Sequence, residues 1–62
     1  MGDTKEAILT IALQLFASDG YEAVSVSQIA GALGMTKGAL YKHYKNKRDI
    51  FDHILLRMEQ RD

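Results

Sequence analysis

A chain of 62 residues allows a single domain, 1–62, that buries only about 60% of its unfolded surface and offers little room for the pocket an enzyme needs. With no cysteine and two histidines, disulfides, a zinc-thiolate site and a thiol nucleophile are excluded, and at 47% hydrophobic and 26% charged the composition is not that of a disordered tail. The net charge is zero, so any preference for a polyanion has to come from local distribution.

Proline is absent and helix formers dominate, so the chain reads as all-α. Asp3 and Glu6 have capping-box spacing, and Ile8, Ile11, Ala12, Leu15 and Phe16 then recur with a helical period until Gly20 supplies a stop. The apolar stretch from Ala7 to Ala17 is interrupted by Thr10 and Gln14 and is too short to span a bilayer. The start MGDTKE lacks the basic region of a signal peptide, and Glu6 stands where a myristoylation signal has Ser or Thr. The expectation is a cytoplasmic protein with no membrane partner.

Ser25 and Gln28 form a second capping box, flanked by Val24 and Ile29 as a hydrophobic staple. This predicts a helix from Val26 with Ile29, Ala30 and Leu33 inward and Gly34 as its end. After a turn of about three residues, Thr36 caps a third helix, with Met35 and Leu40 at its staple positions. That helix runs from Lys37 to about Tyr44, placing Leu40 and Tyr44 inside and Lys37, Ala39, Lys42 and His43 outside. Asn46 caps a fourth helix with Asp49 in its first turn and Ile50, Phe51, Ile54, Leu55 and Met58 along an apolar band. Leu56 departs from that stripe, and the band is wider than a three-helix core needs, which predicts a further contact for this helix.

The charge is unevenly placed. Residues 1–35 sum to −3 and residues 49–62 to −2, whereas residues 36–48 hold Lys37, Lys42, Lys45, Lys47 and Arg48 with no acid. Such a window is either a solvated face or a surface that neutralises phosphates. Helix, sharp glycine turn and short helix over residues 25–44 is the helix-turn-helix pattern, whose second helix enters the major groove. The basic window falls on that second helix and its exit, and the coincidence points to nucleic acid.

Other chemistry is not supported. Asp49 and His53 lie one turn apart, but two ligands without a third are an ion pair rather than a metal site. Gly31-Ala32-Leu33-Gly34 superficially matches the backbone-clamping loop of KH domains, yet its middle residues are apolar and no strands surround it. No phosphate loop, Ser-His-Asp order or paired-carboxylate cleft is visible. The expectation is no enzyme, no cofactor and no metal.

The run Ile29-Ala30, Leu33-Gly34-Met35-Thr36-Lys37-Gly38-Ala39-Leu40-Tyr41-Lys42-His43-Tyr44, Lys45-Asn46-Lys47 and Ile50-Phe51 resembles the DNA-binding domain of TetR-family transcriptional regulators. Leu15-Phe16-Ala17 and the Gly20-Tyr21 turn extend the resemblance over essentially the whole chain. It implies a three-helix, homeodomain-like helix-turn-helix core plus the start of a fourth connecting helix at 46–62. That helix would lead to an effector-binding and dimerisation domain C-terminal to these residues. It also implies a homodimeric regulator, most often a repressor, that sits on a palindromic operator in the bacterial nucleoid and is released by a small-molecule effector.

Candidate DNA-binding residues follow, each with an alternative. Thr36 serves as a helix cap, a phosphate donor or both. Lys37 reaches either guanine O6 and N7 or a phosphate. Gly38 permits close backbone approach and Ala39 suits a thymine methyl, unless the helix start merely tolerates small residues. Ser25 and Ser27 are phosphate donors at the entry to the second helix, Ser25 with a capping duty as well. Lys42 is the best placed of the supporting cations, with Lys45 and Arg48 adding potential. The resemblance, not the spacing, assigns Tyr41 and His43 to the phosphate backbone and Lys47 to a phosphate, the last at a helix N-terminus suited to one; it agrees with the spacing in placing Tyr44 in the core. The competing expectation is a small helical module that docks a partner through Ile50, Ile54, Leu55, Leu56 and Met58 of helix 46–62.

Overall fold

The structure, a computed structural model, describes residues 3–60. These form four α-helices and one 3-10 turn, with no strand among them: α1 (Thr4–Asp19), the turn Tyr21–Ala23, α2 (Val26–Ala32), α3 (Lys37–Tyr41) and α4 (Lys47–Gln60). Residues 61 and 62 of the expected last helix lie outside the described residues. None of the described helices is long and apolar enough to cross a membrane.

Each boundary has a local cause. Asp3 caps α1 by accepting from the Lys5 N–H at 3.1 Å, but Glu6 does not complete a capping box, because its carboxylate pairs with Arg57 on α4 instead. Gly20 ends α1 at φ +93°, a conformation L side chains rarely adopt, and its N–H closes on the Phe16 carbonyl at 2.9 Å. The reciprocal capping box at Ser25 and Gln28 is present, Thr36 accepts from the Ala39 N–H at 3.1 Å, and Asn46 accepts from the Asp49 N–H at 2.8 Å. Asp49 reaches back past that cap to the Lys45 N–H at 2.9 Å.

One expected boundary holds and one moves. Gly34 ends α2 as expected: the last helical residue is Ala32, Leu33 is the C-cap, and Gly34 carries the positive φ of +70° that reverses the chain. Helix α3 closes at Tyr41 rather than near Tyr44. Here the Lys42 N–H returns to Ala39 and the His43 N–H to Leu40, so the helix tightens into three-residue turns.

Helix α1 packs on α4 and α2, and α2 packs on α3. The core comprises Ile8, Leu9, Ala12, Val24, Val26, Ile29, Ala30, Leu40, Tyr44, Ile50 and Ile54, with Ile11, Leu15, Phe16, Leu33 and Met35 packed around it. Burying each large aliphatic side chain contributes about 1.5–3 kcal/mol. Leu40 is the buried anchor of α3, and Tyr44, the next inward residue, is buried despite lying beyond the helix. The fourth helix keeps only part of its apolar band inside: Ile50 and Ile54 are buried, while Leu55, Leu56 and Met58 are exposed.

Candidate nucleic-acid interface

Helix α3 presents its basic side outward because Leu40 points into the core, which sends the neighbouring positions around the helix to solvent. Thr36, Lys37, Gly38, Tyr41 and Lys42 are exposed, and Ala39 and His43 are half-buried. No ion pair among the described residues engages Lys37 or Lys42. Within the acid-free window, α3 and its exit thus present the ammonium groups of Lys37 and Lys42 free of ion pairs among the described residues. Tyr41 is 44% exposed, so its ring belongs to this surface and not to the core.

The hydroxyls retain donor capacity. Thr36 Oγ1 and Ser25 Oγ each accept one backbone N–H, at 3.1 Å in both cases, leaving each O–H proton available to an outside acceptor. Ser27 is exposed in the first turn of α2. A Cβ built on Gly38 would meet only Thr36 Oγ1, at 3.9 Å. The fold therefore does not require glycine there.

Of the other three cations in the window, Lys45 is exposed and in no ion pair among the described residues, while Arg48 and Lys47 are engaged. Arg48 pairs with Asp52 one turn on, at 3.1 Å, on an exposed face. Lys47, the first residue of α4, donates its ammonium to the Tyr21 carbonyl at 2.6 Å and lies 4.1 Å from the Tyr21 ring centroid. The Tyr21 ring in turn packs on Phe16 and Phe51, each with centroids at 5.1 Å. Sequence reasoning did not foresee this attachment; the only local signal is the i,i+4 spacing of Lys47 and Phe51, which puts both on one side of α4.

A second cluster lies where α3 exits. The Tyr44 hydroxyl donates to the Lys5 carbonyl at 3.2 Å, and its ring meets His53 edge-on at 5.1 Å. Burial pushes the Tyr44 hydroxyl pKa up, and the carboxylates of Glu6, Asp3 and Asp49 act in the same direction. His53 Nδ1 lies 2.8 Å from the Asp49 carbonyl oxygen and 3.4 Å from its carboxylate. No group of three or more metal-ligating side chains occurs among the described residues.

Comparison with known proteins gives consistent matches. Residues 8–54 match the model of the family described as bacterial regulatory proteins, tetR family. The helix-turn-helix transcriptional regulator AcrR of Shigella flexneri is 44% identical over 84% of this chain and 24% of its own length. The helix-turn-helix transcriptional repressor BepR of Brucella suis is 42% identical over 86% of this chain and 25% of its own length. The chain thus spans about a quarter of the length of these relatives. Among solved structures, the fatty acid degradation regulator FadR of Bacillus halodurans superposes over 100% of this chain and 39% of its own, with a TM-score of 0.73 and 28% identity. The matched range 8–54 takes in the capped α2, the glycine turn and the outward basic α3, and the chain belongs to the tetR family of bacterial regulatory proteins.

Proposed function

We propose that residues 1–62 are the DNA-binding domain of a transcriptional regulator that lays α3 in the major groove of duplex DNA. The observation that carries this reading is the exposure of Lys37 and Lys42, free of ion pairs among the described residues, beside the open Gly38 backbone. Lys37, Gly38 and Ala39 face the bases. Thr36, Tyr41, Lys42 and His43 grip the phosphates around them, with Ser25 and Ser27 on one flank and Lys47 on the other. No catalytic step is assigned to the domain.

For the whole protein, the reading is a cytoplasmic homodimeric repressor. It binds a palindromic operator and leaves it when a C-terminal domain takes up a small molecule. The names of BepR, a repressor, and FadR, a regulator, support the repressor and regulator part of this reading. Exposed Leu55, Leu56 and Met58 on α4 favour a protein contact on that helix. They also support the second reading, a module that docks a partner helix there.

One pair of measurements separates the two. Phosphate neutralisation makes the affinity for random duplex DNA fall steeply with salt, and reversing the charge at Lys37 and Lys42 to Glu is expected to abolish binding while leaving the helical content intact. Salt-independent binding, or binding that survives the reversal, would overturn the DNA reading and send the search to α4. On a preferred sequence, Lys37→Ala is expected to lose about 1–3 kcal/mol and relax the preference at one base pair; equal loss on every sequence would reassign Lys37 to a phosphate.

A further inference from the structure

We infer that Tyr21 is a positioning residue for DNA binding, fixing the Lys47 ammonium with its backbone carbonyl and its ring face. The inference rests on the DNA-binding reading above and extends it to a residue outside the basic window. Lys47 Nζ meets both parts of Tyr21 at once, the carbonyl at 2.6 Å and the ring centroid at 4.1 Å. A charge-assisted hydrogen bond and a cation–π contact on the same ammonium restrict a side chain that otherwise ranges over many rotamers. Half-burial of Lys47 and Tyr21 strengthens both contacts by keeping water away from them.

Tyr21 is itself held in place. Its ring packs against both Phe16 of α1 and Phe51 of α4, which also touch each other at 6.0 Å between centroids, so the three rings form a triangular cluster. Its carbonyl also accepts from the Val24 N–H at 3.3 Å, and Val24 is buried next to Ser25, the cap of α2. One ammonium therefore ties the entry of α2 to the start of α4, the two elements that flank α3 in the proposed grip. One of its three N–H groups is directed to Tyr21, and two remain for a phosphate oxygen. A lysine already fixed in this way loses less side-chain freedom when the phosphate arrives.

The test is a double-mutant cycle on Tyr21→Leu and Lys47→Met, read as affinity of the 62-residue chain for duplex DNA across a salt series. Lys47→Met is expected to weaken binding on every sequence and to reduce the slope of log affinity against log salt by about 0.9, the loss of one phosphate contact. Tyr21→Leu is expected to weaken binding about threefold to tenfold in the wild-type background and not at all in the Lys47→Met background. Tyr21→Phe, which keeps ring and carbonyl, is expected to bind as wild type. Equal loss from Tyr21→Leu in both backgrounds would mark a merely structural tyrosine and overturn the inference, as would no loss in either. Should Tyr21→Leu not fold, nuclear relaxation of the lysine Cε groups in the free wild-type protein decides: Lys47 is expected to be rigid beside mobile Lys37 and Lys42, and equal mobility overturns the inference. Failure of the wild-type chain to bind duplex DNA at low salt would overturn the DNA reading and this assignment together, whereas a mobile Lys47 in a protein that binds DNA would overturn this assignment alone.

Discussion

Helices α1 and α4 run 16 and 14 residues, whereas α2 and α3 run 7 and 5. Isolated helices shorter than about 12–15 residues are marginal in water, so the two pairs are held by different means. The long pair is zipped by buried Ile8, Ala12, Ile50 and Ile54, with the Arg57–Glu6 pair at one end. The short pair depends on hydrogen bonds at its caps and on single anchors such as Ile29 and Leu40. Their surfaces differ in parallel. Exposed Leu13, Leu55, Leu56 and Met58 all lie on α1 and α4, while the free ammonium groups of Lys37 and Lys42 lie on α3 and its exit. Length and packing make one half a frame whose exterior carries the exposed aliphatic side chains among its polar ones, and local polar chemistry makes the other a surface of cations free of acids, suited to a wet polyanion.

The sharpest way to break this contrast is to remove an anchor from the short pair. Leu40 is fully buried, and Leu40→Ala is expected to lose about 2–5 kcal/mol in a domain whose whole margin is about 0.05–0.15 kcal/mol per residue. Urea unfolding would show a large fall in the midpoint, and DNA binding would go with it. Leu55→Ala on the exposed side of α4 is expected to stay within about 0.5 kcal/mol of wild type. Similar losses at the two sites would mean that the core does not pass through α3.

Caps provide the next effect in size. Thr36→Ala removes the acceptor for the Ala39 N–H and is expected to lose about 0.5–2 kcal/mol, because α3 has five residues and cannot shed a turn. Asp3→Ala frays one turn of a 16-residue helix and is expected to lose less; equal losses by urea titration would erase the difference between the pairs. Gly38→Ala goes the other way. With open space at its Cβ position, alanine is expected to stabilise the fold by up to about 1 kcal/mol and, if the α3 backbone approaches DNA, to weaken binding at the same time. A variant that gains stability without losing affinity would remove Gly38 from the interface.

How much of this was legible in the sequence depends on distance along the chain. The caps at Ser25, Thr36 and Asn46 and the stops at Gly20 and Gly34 involve residues a few positions apart, so spacing alone located them. The inward assignment of Leu40 and the outward assignment of Lys37 and Lys42 followed from the same short-range periodicity. Contacts that join distant segments were not legible: Arg57 to Glu6, the Tyr44 hydroxyl to Lys5, and Lys47 to Tyr21 span 51, 39 and 26 residues. Glu6 shows the consequence, since a local rule assigned it to a capping box while a tertiary partner claimed its carboxylate. Leu9 was missed for a related reason: α1 faces both α2 and α4, and its buried stripe is wider than one partner would make it.

Tyr44 stands where the two pairs meet, and it gives the smallest and most specific effect. It leaves α3 buried, and its hydroxyl donates to the Lys5 carbonyl at the start of α1. Burial first, and then the carboxylates of Glu6, Asp3 and Asp49, raise its pKa above the ordinary value of 10.0, with Arg57 opposing. In the pH range just above that value the unfolded chain has released the tyrosine proton and the folded chain still holds it, so raising the pH favours unfolding. This contribution to stability is complete below about pH 10 and is lost as the pH rises through the folded value. Tyr44→Phe removes both the hydrogen bond and the titration. It is expected to lose about 0.5 kcal/mol at neutral pH, the low end for a hydrogen bond, because water can reach the carbonyl of exposed Lys5. The informative quantity is the difference in urea midpoint between wild type and variant, which is expected to be constant from neutral pH to the onset of tyrosine ionisation and then to shrink. A difference that stays constant through that range would mean that Tyr44 ionises alike in folded and unfolded chains, and that the junction between the long and short helices is open to water.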